Sequence, residues 1–490
     1  GWLKLLNHAN RILLPPTTDL EKYMSLTLDE AFERIDAEGT GKWTFLCTSI
    51  LSLMSTALAL ESNISPYLAV CASDIGSNTS NEQAALNSVS GIGFMAGTAL
   101  LLPLADSFGR WRTLYYSSLV AGFFAVVSAA SMSYWNLFIA RFLVSFFAAT
   151  WLLAVDLLEE YVPPLKRGFL ANMTNIGWGL GAVAINLLAW RIIPHGGWRL
   201  FAAVAAVPYV VISVSMRVYL VESPRWLLAK GKHDEALEAL RYVATMNGCA
   251  APCSQLQDPC SNENTQLIQS YTETTYWQTV SESFTVWSSL LDKKNIKITL
   301  AVWGIWICWN FAYNTIVIFD DVNFKGTSDL PCSFNYSMIS GVSVSELIGP
   351  LLLMPLIDRS DLGWLGGRQG TQAISYVIAA VAALMTGMRV VPVFWWAFVT
   401  RGFIAAGSGA SVLQIPELYD TQRRVTGSAA ASFVGTLGSI ISPYCVYGKS
   451  WLTSSSTLAF ALVAATAMLL VLPETAQILL DKADVDKQSA

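Results

Sequence analysis

The chain has 490 residues, of which 53% are hydrophobic and only 13% charged, with a mean hydropathy of +0.46 and a formal net charge of −5. That balance excludes an ordinary soluble globular domain, and the sequence holds no basic tract suited to nucleic acid. The eight cysteines form no CxxC pair, and with only His8, His195 and His233 in the whole chain a histidine metal centre is excluded.

Residues 1–42 are polar and mixed in charge, and LTLDEAFERI (Leu26 to Ile35) predicts a short amphipathic helix lying on the cytosolic surface. Gly1 opens the chain without an initiator Met, and no cleavable signal pattern is visible. Apolar stretches of roughly 20 residues, the length that crosses a bilayer, then succeed one another. They fall at 43–68, 85–105, 113–132, 135–157, 168–190 and 199–220, and again at 297–319, 338–357, 370–388, 392–416, 427–448 and 453–472. The prediction is an all-α membrane protein of twelve spans, with a six-helix bundle over 43–220 and another over 297–472. Between them, 221–296 is a polar cytosolic segment. Its GKHDEALEALRYVAT run (Gly231 to Thr245) has the 3.6-residue pattern of a soluble helix, and a Ser/Asn/Gln-rich stretch follows. Residues 473–490 form a cytosolic tail.

Charge sets the expected orientation. With both termini inside, twenty-three of the 30 Lys and Arg fall on the cytosolic side and five outside, while Arg141 and Arg401 lie within spans. The sequons at Asn78 and Asn335 then fall in non-cytosolic loops, where glycosylation requires them. Cys71 and Cys332 fall on that same side, which leaves open a disulfide or two unpaired small hydrophobes. Cys249, Cys253 and Cys260 fall in the cytosolic segment and are expected as reduced thiols.

The two halves repeat each other. LADSFGRWR (Leu104 to Arg112) joins spans two and three, and a looser copy, LIDRSDLGWLGGRQ (Leu356 to Gln369), joins spans eight and nine. Arg141 and Arg401 recur within spans, and Glu160 stands before Arg167 as Glu417 stands before Arg424. In the first turn Asp106 can cap a helix or pair with an arginine, Gly109 permits a positive φ, and Arg110 and Arg112 favour the cytosolic side. Asp358, Arg359 and Arg368 are the counterparts.

A charge inside a span is costly and marks a candidate site. Glu61 lies about 28 Å along span one at 1.5 Å per residue. Its readings are a proton-titrating carboxylate, a counter-charge for a cationic substrate, or a helix-end acid wetted by the outer surface. Glu346 stands before Gly349-Pro350 in span eight, as a coupling group or as a paired structural acid. Arg401, near mid-membrane, can attract an anion or neutralise Glu346, whereas Arg141 reads as structural pairing. In span seven Trp303, Trp306, Asn310 and Tyr313 share a helical face. Span five offers Asn172, Asn175 and Trp178 at three-residue spacing. Amides beside rings suit a small, flat, polar ligand, and ordinary packing is the plain alternative for any single ring. No GxSxG, HExxH, P-loop or GxGxxG unit is present, so neither an enzyme nor an ATP-driven pump is expected, and no cofactor.

On these residues the chain resembles the major facilitator superfamily. LADSFGRWR is similar to its loop between helices two and three, although Leu102 replaces the usual leading glycine and Ser107 a basic residue. VESPRWLLAKGKHDEAL (Val221 to Leu237) and LPETAQ (Leu472 to Gln477) resemble stretches shared by sugar porters and organic-ion transporters. Within the superfamily, GKW (Gly41 to Trp43), Glu61, WNFAYNTIVIF (Trp309 to Phe319), SELIGP (Ser345 to Pro350) and TRGF (Thr400 to Phe403) resemble the synaptic-vesicle-protein-two-related, niacin-transporter and organic-ion carrier branch. Leu58, Asn314 and Gln414 depart from that branch. The short 69–84 loop argues against the animal organic-cation and organic-anion carriers, which have a large domain there.

The resemblance implies a monomeric transport unit in the lipid bilayer that moves a small organic ion or vitamin-like metabolite by alternating access. Protons couple through Glu61 or Glu346, or transport is uncoupled. Glu61, Asn175, Trp178, Trp306, Asn310, Tyr313, Glu346 and Arg401 would line the site. The latch would be built from Asp106, Gly109, Arg110, Arg112, Glu160 and Arg167 with Asp358, Arg359, Arg368, Glu417 and Arg424, Asp106 reaching toward the opposite half. A sugar porter, and a non-transporting receptor or assembly subunit, are the alternatives.

Overall fold

The structure is a computed structural model that describes residues 26–162, 164–250, 256, 287, 290–293, 295–326, 332–357, 359, 366–419 and 424–475. The named secondary-structure elements among the described residues are all helical. The β contacts among the described residues are two isolated bridges, Leu26 with Leu256 and Lys325 with Phe334. Span one is Lys42–Cys71, span two Ser80–Phe108 and span three Arg110–Ala129. Span four runs as Tyr134–Ala148 and then Trp151–Tyr161. Spans five and six are one helical run, Pro164–Ala205, broken at Gly197, and continued by Val207–Tyr219.

The second half follows as Ile296–Asn323, the broken pair Tyr336–Ser343 and Ser345–Ile357, Gly367–Gly387, Val393–Leu418, Arg424–Ile441 and Trp451–Leu469. In the first half span one packs along five, two along four, and three along four and six. In the second, seven packs along eleven, eight along ten, and nine along ten and twelve. Each pairing in one bundle therefore has its counterpart in the other. The bundles meet where span two lies on eleven and span five on eight, and these contacts are again exchanged by the pseudo-twofold relation.

Small residues let these helices approach. At Gly97, in span two, an added Cβ would collide with the Phe146 carbonyl of span four and press on Ala149. Gly97→Val is expected to overpack this seam by about 1–3 kcal/mol or more. The loss should appear as a reduced monodisperse peak on size exclusion, with Gly97→Ala in between. A native-like yield of the valine variant would show that the seam opens freely.

One face carries the short helix Leu28–Glu38, the helices Pro224–Ala229 and His233–Asn247, and the turn at Gly109; we call it the terminal face. The opposite face carries the Cys71–Cys332 disulfide. The Leu28–Glu38 helix begins with a capping box between Thr27 and Glu30. It does not simply lie on a surface as its amphipathic pattern suggested. Phe32 and Ile35 are buried in one core with Trp43, Leu240 and Val243, and Asp29 pairs with Arg225. Asn247 ties this layer down: its Oδ1 accepts the Trp43 N–H at 2.8 Å and its carbonyl accepts the Thr40 N–H at 2.9 Å.

Candidate functional site

The polar centre is built where five helices meet in the disulfide-side part of the bundle. Arg401, eight residues from the start of span ten and so roughly 12 Å along it, is 1% exposed. Its Nε donates to Glu346 Oε1 of span eight at 2.5 Å, its Nη1 lies 3.5 Å from Asp320 Oδ2 of span seven, and its Nη2 donates to Asn63 Oδ1 of span one at 3.0 Å. Asp321 faces the same guanidinium and the Tyr67 hydroxyl. Tyr313 donates to Glu346 at 3.1 Å and accepts the indole N–H of Trp178, from span five of the other half, at 3.0 Å. The rings of Trp309, Tyr313 and Trp178 follow one another at 5.8–6.3 Å between centroids, forming an aromatic wall beside the charges, and Trp306 leads away from it toward span eleven at 5.5 Å from Trp309.

Charge bookkeeping defines what this site can do. Glu346, Asp320 and Asp321 are 3%, 0% and 2% exposed; among the described residues Arg401 pairs with Glu346 and Asp320, and Asp321 lies within reach of its field. Among the described residues, Oδ1 of each aspartate meets no hydrogen-bond partner. Three buried carboxylates around one guanidinium leave an excess of negative charge that low-dielectric surroundings resist. A proton, or a cationic group of a ligand, relieves it.

Of the residues expected to line a site, Trp178, Tyr313, Glu346 and Arg401 come together. Trp306 and Asn310 pack instead against span eleven, where Gly435 leaves room and Ser439 donates to Asn310 Oδ1 at 3.4 Å. Glu61 is buried elsewhere. Arg141 Nη2 donates to its Oε1 at 2.5 Å and to its carbonyl at 3.3 Å, and Ser145 Oγ donates to Oε1 at 3.2 Å. Asn63 and Glu61 are two residues apart, about 200° around the helix, so one faces the interface and the other its own bundle. The Asn175 side chain lies outside the described residues.

The sequence reading missed Asp320 and Asp321 because it ended span seven at 319, before the charges. The helix runs on to Asn323 and buries both acids, with Arg401 reaching Asp320. Asn63 carried no signal beyond being an amide in an apolar run.

On the terminal face the ion pairs among the described residues each lie within one half. Gly109 has φ +107, and a side chain there would strike the Glu222 carboxylate, which accepts the Trp111 N–H at 2.9 Å and the Arg112 N–H at 3.4 Å. Arg110 pairs with Glu160, and Asp106 stands 3.9 Å from Arg110 in its own half rather than reaching the opposite one. The second half repeats this. Glu474 accepts the Arg368 and Gln369 N–H groups at 2.8 and 2.9 Å, and Arg368 forks onto Glu417 at 3.1 and 3.3 Å. Glu222 and Glu474 are the acids of the VESPRW and LPETAQ stretches, so those motifs hold the two sharp turns in place. Arg112 and Arg359 are exposed. Asp358 and the side chains of Arg167 and Arg424 lie outside the described residues. On the other face Asn78 and Asn335 are exposed, and Asn335 also caps span eight at Met338.

Paired bundles of this topology around an interfacial polar centre define a transporter of the major facilitator kind. The sequence pattern of the Major Facilitator Superfamily matches residues 44–443, and the chain belongs to that family. It is a membrane transport protein, not an enzyme. It is similar to the synaptic vesicle 2-related protein of Xenopus laevis, 26% identical over 453 residues, covering 87% of this chain and 77% of that one. It is also similar to organic cation/carnitine transporter 7 of Arabidopsis thaliana, 25% identical over 456 residues, covering 86% and 88%. Among solved structures, the partially occluded inward-open form of the xylose transporter XylE from E. coli shares the fold, with a TM-score of 0.68 at 17% identity, covering 89% and 99%.

Proposed function

We propose that this protein moves a small organic ion, with positive charge favoured, across a membrane by alternating access. The observation that carries this reading is the excess of buried carboxylate at Glu346, Asp320 and Asp321 over the single Arg401. The aromatic wall of Trp178, Trp309 and Tyr313 supplies stacking and cation–π surface beside it. The name of the Arabidopsis relative, an organic cation/carnitine transporter, points the same way.

The terminal face is assigned to the cytosol from its lysines and arginines, and the disulfide face to an oxidising compartment. Contacts between the bundles close the disulfide face through Asn63–Arg401, Asn87–Tyr447 and Ser88 with the Ile440 carbonyl. The ion pairs found on the terminal face among the described residues are within halves. This is the arrangement of a carrier open toward the cytosol, and in the opposite state Asp106, Arg110, Asp358 and Arg368 would approach the other bundle. Glu61 and Glu346 are the proton-coupling candidates, each already paired with an arginine that could release it.

A thermal-shift panel of organic cations, anions and sugars tests the substrate class. Cations should raise the melting temperature, and Asp320→Asn alone should weaken their apparent affinity about tenfold, the loss of one favourable charge contact. Stabilisation by anions or sugars alone would overturn the charge argument. Uptake into liposomes with and without a pH gradient then separates coupled from uncoupled transport.

A further inference from the structure

Among the described residues, covalent chemistry joins the two bundles at one place. Cys71, the last residue of span one, is bonded to Cys332, in the segment that leads into span eight, with their Cα atoms 4.7 Å apart. The other links on this face are weak and reversible. Among the described residues they include the ring contact of Tyr67 with Phe334 at 4.9 Å between centroids, the Asn87–Tyr447 bond at 2.8 Å, the Ser88–Ile440 bond at 2.7 Å and the Arg401–Asn63 bond at 3.0 Å. A ligand with a few kcal/mol of differential affinity for the open state breaks bonds of that kind. It does not break a disulfide, whose geometry keeps the two Cα atoms within about 4.4–6.8 Å.

We propose that Cys71–Cys332 is a redox lock on alternating access: the oxidised protein is held shut on the disulfide face, and thiol–disulfide exchange releases it. The proposal rests on the alternating-access reading above. Cys332 is half-buried while Cys71 is 6% exposed, so the attack falls on Cys332. A thiolate of a small dithiol attacks the Cys332 sulfur, the S–S bond breaks, and Cys71 leaves as a thiolate that takes a proton. The reductant's second thiolate then attacks its own sulfur in the mixed disulfide and expels Cys332, which is protonated in turn. Two electrons pass to the protein, and the dithiol departs as its cyclic disulfide. Free of the link, the end of span one can part from the segment before span eight. The lock thus makes flux depend on the redox state of the compartment that this face meets.

The test measures the distance across this face in the full chain in nanodiscs. Labels are placed by noncanonical amino acids at the exposed positions Asn81, in span two, and Lys449, after span eleven, so that the cysteines stay untouched. The oxidised protein should give a single short distance. Treatment with dithiothreitol, or the Cys71→Ser/Cys332→Ser substitutions without reductant, should add a longer distance in about 10% of molecules or more, the level of an accessible minor state. A long-distance population of equal size in the oxidised protein overturns the lock. So does a short distance alone in the reduced protein. Asn87→Ala/Tyr447→Phe in the double-serine background separates the two ideas. If this loosened protein opens while the oxidised parent opens equally, only the lock fails; if it never opens, alternating access fails with it.

Discussion

Replacing Arg401 with leucine is expected to abolish transport and to cost about 3–5 kcal/mol of stability, because it strips the counter-charge from three buried carboxylates. The guanidinium also ties the halves together through Asn63, so its loss removes an inter-bundle bond as well as a charge. Arg401→Lys should fold, since an ammonium can still meet Glu346. It cannot reach Asp320 and Asn63 at the same time as a planar fork does, and transport should fall about 100-fold, the scale of a misplaced positioning group. Arg401→Leu/Glu346→Leu should recover much of the lost stability, since a buried pair can be replaced by packed apolar groups, while remaining inactive. Melting curves in nanodiscs and uptake of the most stabilising organic cation measure both effects. Wild-type transport by Arg401→Leu would remove the polar centre from the mechanism.

The second large effect is expected at Glu61. Glu61→Gln leaves the Arg141 guanidinium buried at 2% exposure with the Glu61 carbonyl but no carboxylate. Breaking such a pair costs about 3–5 kcal/mol, and a leucine pair at 61 and 141 should restore most of it. If Glu61 carries the coupled proton, Glu61→Gln will still exchange substrate down its gradient but will no longer accumulate it when a pH gradient is imposed. Full gradient-driven accumulation by Glu61→Gln would move the coupling role to Glu346, where Glu346→Gln repeats the measurement. The pairing geometry makes the assay discriminating, since Glu61 and Glu346 belong to different bundles and different arginines.

The fold was legible in the sequence because a bilayer imposes it. Twelve apolar stretches and the repeated turn motifs at Gly109 and in LIDRSDLGWLGGRQ leave few arrangements open, and the packing of the helices repeats the internal duplication pair by pair. Charges inside spans were equally visible: Glu61, Arg141, Glu346 and Arg401 could be listed as costly residues in need of partners. Cys71 and Cys332 could be placed on one side, but their bond could not be read from their spacing.

What tertiary structure decided is who meets whom. A hydropathy profile ends a helix where charge begins, so Asp320 and Asp321 were placed outside the membrane. They are instead buried in the protein, where Arg401, from a helix some eighty residues on, reaches Asp320. Likewise Glu61 turns toward Arg141 rather than toward the shared centre, a choice made by the 100° step of the helix and the packing of spans one and four. Burial penalties depend on the sum of neighbouring charges, and those neighbours come from distant stretches of chain, so composition and spacing name the candidates while three-dimensional proximity alone pairs them.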